Sequence, residues 1–266
     1  MMSDFVKLEA VDLRYGGDRG VQALEGADIS IAKGEFAAVV GPSGCGKSSL
    51  MKLVTGLMPT NGGRITVAGT EVKGPLKIVG MAFQNPTLLP WRRLLKNVML
   101  PLEIVQPHRS RLSRHKAEYV ARARDLLDRV GLLGFENSYP WELSGGMQQR
   151  ANLCRALIHE PDLLMLDEPF GALDYFTREE LWGVLQEIWL EKRFTTVLVT
   201  HDLREAAFLA DVIHVMSARP GRIISTHRVD FPRPRTLETT FEPAFVDVVH
   251  EIRSQIAQTR LEAKAA

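Results

Sequence analysis

A mainly parallel α/β sheet, with an antiparallel β edge layer and a helical insertion, is the fold class this sequence predicts. Three observations carry it. Short apolar, β-branched runs end at Gly, Asp or His, and helical patterns separate them. Before Phe36 the apolar residues instead alternate with polar ones between glycine-containing turns. Between about residues 86 and 150 the strand pattern stops.

In chain order, "VKLEAVDLRY" and "ALEGADISI" read as antiparallel strands, and "GRITVAG" joins them. The runs "FAAVV", "KIVGMAF", "DLLMLD", "TTVLVT" and "VIHVM" read as buried core strands. In the insertion, "HKAEYVARARDLLDRVGLL" has apolar residues at helical spacing and charges on the other face. The prolines of "FPRPR" stiffen and break the chain. Beyond them Phe241, Phe245, Val248, Val249, Ile252 and Ile256 are expected on one helical stripe. The expected division is therefore a core domain over 1–230, with a helical subdomain inserted at about 86–150, then a Pro-rich linker and C-terminal amphipathic helix over 231–266.

The composition narrows the function classes. Of 266 residues 45% are hydrophobic, which suits a protein with a substantial core. Lys and Arg number 33 against 32 Asp and Glu, so no global basic footprint points to nucleic acid or an anionic membrane. Cys45 and Cys154 sit in neither a CxxC nor a zinc spacing and suit a reducing compartment. The N-terminus lacks a signal-peptide pattern and no window approaches about 18 uninterrupted apolar residues, so the chain is not expected to cross a membrane.

The chemistry begins at "GPSGCGKSS": Gly41, Pro42, Ser43, Gly44, Cys45, Gly46, Lys47, Ser48 and Ser49. It follows a strand and opens a helical run, the setting a P-loop needs. Its glycines let backbone N–H groups curl around phosphate oxygens, aided by the helix N-terminus. Lys47 supplies a mobile charge for the β and γ phosphates, and the Ser48 hydroxyl is placed to ligate Mg²⁺. The run "LLMLDEP" ends in two carboxylates: Asp167 would hold Mg²⁺ through its water shell, and Glu168 would orient or deprotonate the attacking water. Taken alone such a pair is a turn or a helix start; an upstream P-loop reverses that balance. His201, at the end of "TTVLVTH", is placed to sense the γ phosphate, and the Gln84 amide to reach Mg²⁺ and the nucleophilic water. In "LSGGMQQR", Ser144, Gly145 and Gly146 offer a hydroxyl, accessible N–H groups and a helix start. In isolation that is an N-capped helix.

In order, Tyr15, "GPSGCGKSS", Gln84, "LSGGMQQR", "LLMLDEP", "GALD" and "VTHD" resemble the ATP-binding subunit of an ABC transporter, from about Leu8 to Ile224. The resemblance implies that 1–230 is an ABC ATPase domain on a P-loop NTPase core, binding ATP and Mg²⁺. It implies that two copies close head to tail, each signature loop facing the γ phosphate on the other copy's P-loop. Tyr15 would stack on adenine and Asp174 would communicate across that interface. Met147 stands where many members have Gln, while Ser144, Gly145 and Gly146 are intact. With Glu168 and His201 both present, an active ATPase is expected.

Finer details, "NPTLLPWRRLLKNVMLPLE" after Gln84 and "SARPGRI" after the last core strand, are similar to the nitrate, sulfonate and taurine importer group. That likeness implies a motor on the cytoplasmic face of the membrane, driving solute uptake through separate permease subunits. Leu88, Leu89 and Trp91 are the candidate anchors for the permease, and a solute-binding protein would be an indirect partner. The rivals fare worse. Nucleic-acid-directed relatives carry a long coiled coil or two cassettes, and the charge balance argues against that partner. A P-loop kinase has no use for "LSGGMQQR". An exporter ATPase differs mainly in subgroup likeness.

Overall fold

The computed structural model describes residues 4–16 and 20–265. They divide into two compact units, Met1–Leu76 with Trp189–Ala266, and Lys77–Ile188.

In the first unit, β1 (Asp4–Tyr15), β2 (Val21–Ala32), β4 (Gly62–Val67) and β5 (Thr70–Glu71) form an antiparallel sheet in the order β2-β1-β4-β5. On β1, besides Phe5, the buried positions are Val6 and Leu8, then Val11 and Leu13. That change of phase coincides with a register shift between Leu8 and Val11, where Ala10 has φ 47. The bulge inserts one residue and so keeps the apolar face inward along a 12-residue strand.

The same unit holds β3 (Phe36–Val40), β8 (Thr195–Thr200), β9 (Val212–Met216) and β10 (Ile223–Arg228), in the order β10-β9-β3-β8. β3 runs parallel to both β8 and β9, and β10 is an antiparallel addition. All five residues of β3 are buried, which explains its unbroken apolar run. Phe36 meets Trp189 edge to face at 5.8 Å. Helix α1 (Lys47–Val54) follows β3, and α8 (Leu203–Leu209) follows β8.

The C-terminal helix α9 (Pro243–Ala265) lies against α8 and β9 and buries Phe245 and Ile252. Phe241 does not belong to its stripe: it ends a 3-10 turn, Leu237–Phe241, and is 68% exposed. Pro243 opens the helix because its fixed φ suits the first turn. The "FPRPR" segment also does more than break the chain. Arg235, 3% exposed, donates to the carbonyls of Ala207 (3.0 Å), Phe208 (3.0 Å) and Ala210 (2.7 Å), and Arg233 pairs with Asp211 at 2.8 Å. These cations satisfy the carbonyls left open at the C-terminal end of α8.

In the second unit, β6 (Val79–Ala82) and β7 (Leu163–Asp167) pair in parallel. Helices α2 (Leu94–Val98), α3 (Leu100–Ile104), α4 (His108–Arg111), α5 (Lys116–Arg129) and α6 (Gly145–Leu157) fill the stretch between them. α5 buries Tyr119, Ala123, Leu126 and Leu127 and turns its charges outward. The chain re-enters the first unit at Trp189, within α7 (Tyr175–Lys192).

Candidate functional site

In the first unit the loop Gly41–Ser49 leaves the C-terminal end of β3, where a parallel sheet delivers ligand-facing groups. Gly46 precedes α1 with φ 109. A Cβ there would stand 2.8 Å from Leu24 Cδ2 and 2.9 Å from the Ala23 carbonyl oxygen, so this position requires glycine twice over. α1 has no side-chain cap and no acidic residue in its first turn, so its N-terminal N–H groups and positive dipole end suit an anion. Lys47 is buried, its Nζ donating to the carbonyls of Gly41 (2.8 Å) and Pro42 (3.0 Å). Cys45 is buried as well, and burial raises its thiol above the usual range, which leaves it a packing group rather than a nucleophile.

Tyr15, 40% exposed, shares a hydrogen bond between its hydroxyl and Ser49 Oγ at 2.9 Å, so an aromatic face stands beside the loop. Val40 pairs with Thr200, and His201 therefore follows β8 at the tip next to the one that gives Gly41. Asp202 then caps α8, accepting from the N–H groups of Arg204 (2.9 Å) and Glu205 (3.1 Å).

In the second unit the pairing of Ala82 with Leu166 brings the strand ends carrying Gln84 and Glu168 side by side. Gln84 Nε2 donates to Glu168 Oε2 at 3.1 Å. Asp167, 8% exposed, closes β7. Glu168 has φ 46, a conformation that favours glycine, and its carbonyl accepts from Gly171 N at 3.2 Å. Strain of this kind is found where a side chain must be aimed.

Ser144 is a true N-cap for α6, its Oγ accepting from Met147 N at 3.2 Å. Ser144 and Gly145 are exposed, and Gln148 Nε2 fixes the approach by donating to the Pro140 carbonyl at 2.9 Å. A Cβ on Gly146 would stand 3.0 Å from Leu173 Cδ2, so the "LSGG" and "GALD" segments are neighbours. Asp174 caps α7, accepting from Thr177 N at 3.1 Å, and that bond holds its carboxyl below the usual range.

Of the candidate permease anchors, Trp91 is 71% exposed and Leu89 half-buried, but Leu88 is 8% exposed and packs inside its unit. Leu88 is therefore withdrawn as an anchor: a side chain already out of water has no surface to offer. Sequence reasoning passed over Asn152 and Arg155, which grip the chain on either side of Gln84, at Phe83 and Thr87; only their polarity on an otherwise buried helix could have marked them. Among the described residues there is no cluster of three or more His, Cys, Asp or Glu able to hold a metal, and no helix long and apolar enough to cross a membrane.

The sequence model described as ABC transporter matches residues 24–171. An aliphatic sulfonates import ATP-binding protein of Bacillus licheniformis is 41% identical over 91% of this chain and 90% of its own length. A taurine import ATP-binding protein of Escherichia coli (strain K12) is 37% identical over 92% of this chain and 96% of its own length. Among solved structures, the ATP-binding cassette MJ0796, a dimer in a post-hydrolysis state bound to ADP and Pi, superposes with a TM-score of 0.74 at 29% identity, covering 85% of this chain and all of that one. Matched by that model over residues 24–171 and aligned with these two import proteins over about nine-tenths of its length, this chain belongs to the ABC transporter family.

Proposed function

We propose that this chain is the ATP-binding and ATP-hydrolysing motor subunit of an ABC importer, pairing with a second copy around two ATP molecules to drive uptake of a small sulfonate- or taurine-class solute. Its relatives' names supply the import and solute class. The observation that carries hydrolysis is the strained Glu168 held beside Gln84.

In this reading Gly41–Ser49 cradle the phosphates, Lys47 leaves its loop carbonyls for them, and Tyr15 stacks on adenine. The Ser48 hydroxyl, the Asp167 carboxylate and the Gln84 amide oxygen are hard oxygen donors and fit Mg²⁺; with Gln84 Nε2 spent on Glu168, the oxygen is the amide's acceptor end. Mg²⁺ would neutralise charge on the phosphates. Glu168 orients and deprotonates the attacking water, and His201 senses the γ phosphate. Ser144, Gly145 and Gly146 serve the partner's nucleotide, with Asp174 reporting between the copies. Closure around ATP and reopening after hydrolysis would then do conformational work on the permease.

The permease contact is assigned to the exposed Trp91 with Leu89, since a projecting aromatic makes a strong interface anchor. The motor would then sit peripherally on the cytoplasmic face, a solute-binding protein engaging the same complex from outside. Co-expression with a candidate permease tests this. ATP-dependent uptake of a sulfonate or taurine into proteoliposomes is the expected result, and ATP-dependent efflux alone would overturn the import reading.

A further inference from the structure

We propose that Arg219 is a positioning residue of the nucleotide site, holding the apex of the phosphate-binding loop in its binding shape. The "SARPGRI" segment has no role in the function described so far. In the structure it forms a tight turn after β9. Ser217 N donates to the Arg222 carbonyl, Arg222 N to Ser217 Oγ, and Ser217 Oγ to the Pro220 carbonyl, each at 2.9 Å.

That turn is fastened to β2. Gly221 N donates to the Ala23 carbonyl at 2.9 Å, Glu25 N to the Gly221 carbonyl at 3.1 Å, and Arg222 pairs with Glu25 at 2.8 Å. The turn also lies against the loop itself: a Cβ on Gly221 would stand 2.1 Å from the Cys45 carbonyl oxygen. Arg219 therefore projects from a fixed frame.

From that frame its Nε and one Nη donate to the same acceptor, the Gly44 carbonyl, at 3.2 and 3.0 Å. Gly44 is exposed at mid-loop with φ 75, where a glycine peptide is otherwise free to turn. The peptide is planar and trans, so fixing its oxygen fixes the opposite Cys45 N–H, which points into the loop 3.4 Å from the Pro42 carbonyl. A loop that binds phosphate through backbone N–H groups gains affinity from being held in shape beforehand. The acceptor is neutral and the donor charged, which makes this the stronger class of hydrogen bond.

The inference rests on reading Gly41–Ser49 as the phosphate cradle, and the test separates the two. Calorimetry on the full chain measures affinity for ADP and for a non-hydrolysable ATP analogue in Mg²⁺. R219A should weaken both by about tenfold, the size expected for one charge-assisted hydrogen bond. R219K and R219Q, which keep a donor for the Gly44 carbonyl, should recover most of it. In turnover, KM for ATP should rise more than kcat falls. Wild-type affinity in R219A would overturn the role, even with a lowered Tm, and so would equal losses in all three variants. The control is K47A. Lost binding there beside normal binding in R219A condemns Arg219 alone, whereas normal binding in K47A overturns the cradle reading and this inference with it.

Discussion

Asn152 donates its side-chain amide to the Phe83 carbonyl at 2.9 Å, so the helix that begins at Ser144 grips the strand end that carries Gln84. Gln149 reaches the same carbonyl at 3.4 Å, and Arg155 donates to the Thr87 carbonyl (2.7 Å), Thr87 Oγ1 (3.1 Å) and Asn152 Oδ1 (2.8 Å). Residues at this spacing share one helix face, and burial lowers the Arg155 guanidinium below its usual range. R155K should cost about 1–3 kcal/mol in urea unfolding, since an ammonium cannot serve all three acceptors in the guanidinium's fork geometry. N152A should cost less stability but lower kcat, because it frees the peptide leading to Gln84. An unaltered kcat in N152A would show that the grip does not reach the catalytic groups.

Glu168 is expected to be the residue whose charge matters most for turnover. Glu168→Gln preserves shape and the strained backbone, so ATP binding should survive. Hydrolysis should fall by at least about a hundredfold, the lower range for a general base. The variant should run as a dimer on size exclusion with ATP and as a monomer without it. Wild-type turnover would remove Glu168 from its assigned role.

Sharing of the site between copies has a complementation test. Lys47→Ala removes the charge proposed for the phosphates and Ser144→Arg fills the proposed signature loop. Each homodimer should be inactive, yet a mixed dimer retains one site with an intact Lys47 and an intact Ser144. Mixing the purified variants should restore measurable ATPase. No recovery, with mixing proven by cross-linking, would count against sharing in trans.

The core strands and motif tips were legible because their causes are local. The apolar run of β3 and the glycines after it need only neighbours in sequence, and the period of α5 shows its buried face directly. The β1 bulge was hidden because two alternating patterns one residue out of phase look like one long strand. Leu88 was misjudged because "NPTLLPW" has no period from which to tell inside from outside. Phe241 was placed on α9 although Pro243, two residues on, marks a helix start. The arginines of "FPRPR" and Arg219 find their partners far along the chain, and no local pattern announces a carbonyl that only the fold brings near.

Arg235 should carry more stability than its place in a Pro-rich segment suggests. Burial, then the neighbouring Arg233 charge, pulls its guanidinium down to about 10, so it remains a cation at neutral pH. R235M keeps the bulk but leaves the carbonyls of Ala207, Phe208 and Ala210 without that partner. The expected loss is about 3 kcal/mol by urea denaturation, the scale for removing a buried charged donor. A loss within the ordinary surface range, about 0.5 kcal/mol, would mean water replaces the guanidinium.

His214 should make stability depend on mild acid. It is 3% exposed on β9, with Nδ1 paired to Thr226 Oγ1 at 3.0 Å and Nε2 buried without a partner among the described residues. Burial lowers its pKa from 6.5 to about 4. Between those values the unfolded chain binds the proton and the folded chain resists it, so stability must fall as pH falls. The contribution is complete above 6.5, drains away toward about 4, and is worth up to about 3 kcal/mol at 1.36 kcal/mol per unit. H214L removes the titrating group, and the exposed Thr226 hydroxyl can turn to water. Urea midpoints at about pH 7.5 and 5 should therefore fall more in the wild type than in H214L, if linkage through this imidazole governs the window. Parallel declines in the two proteins would place the acid sensitivity elsewhere.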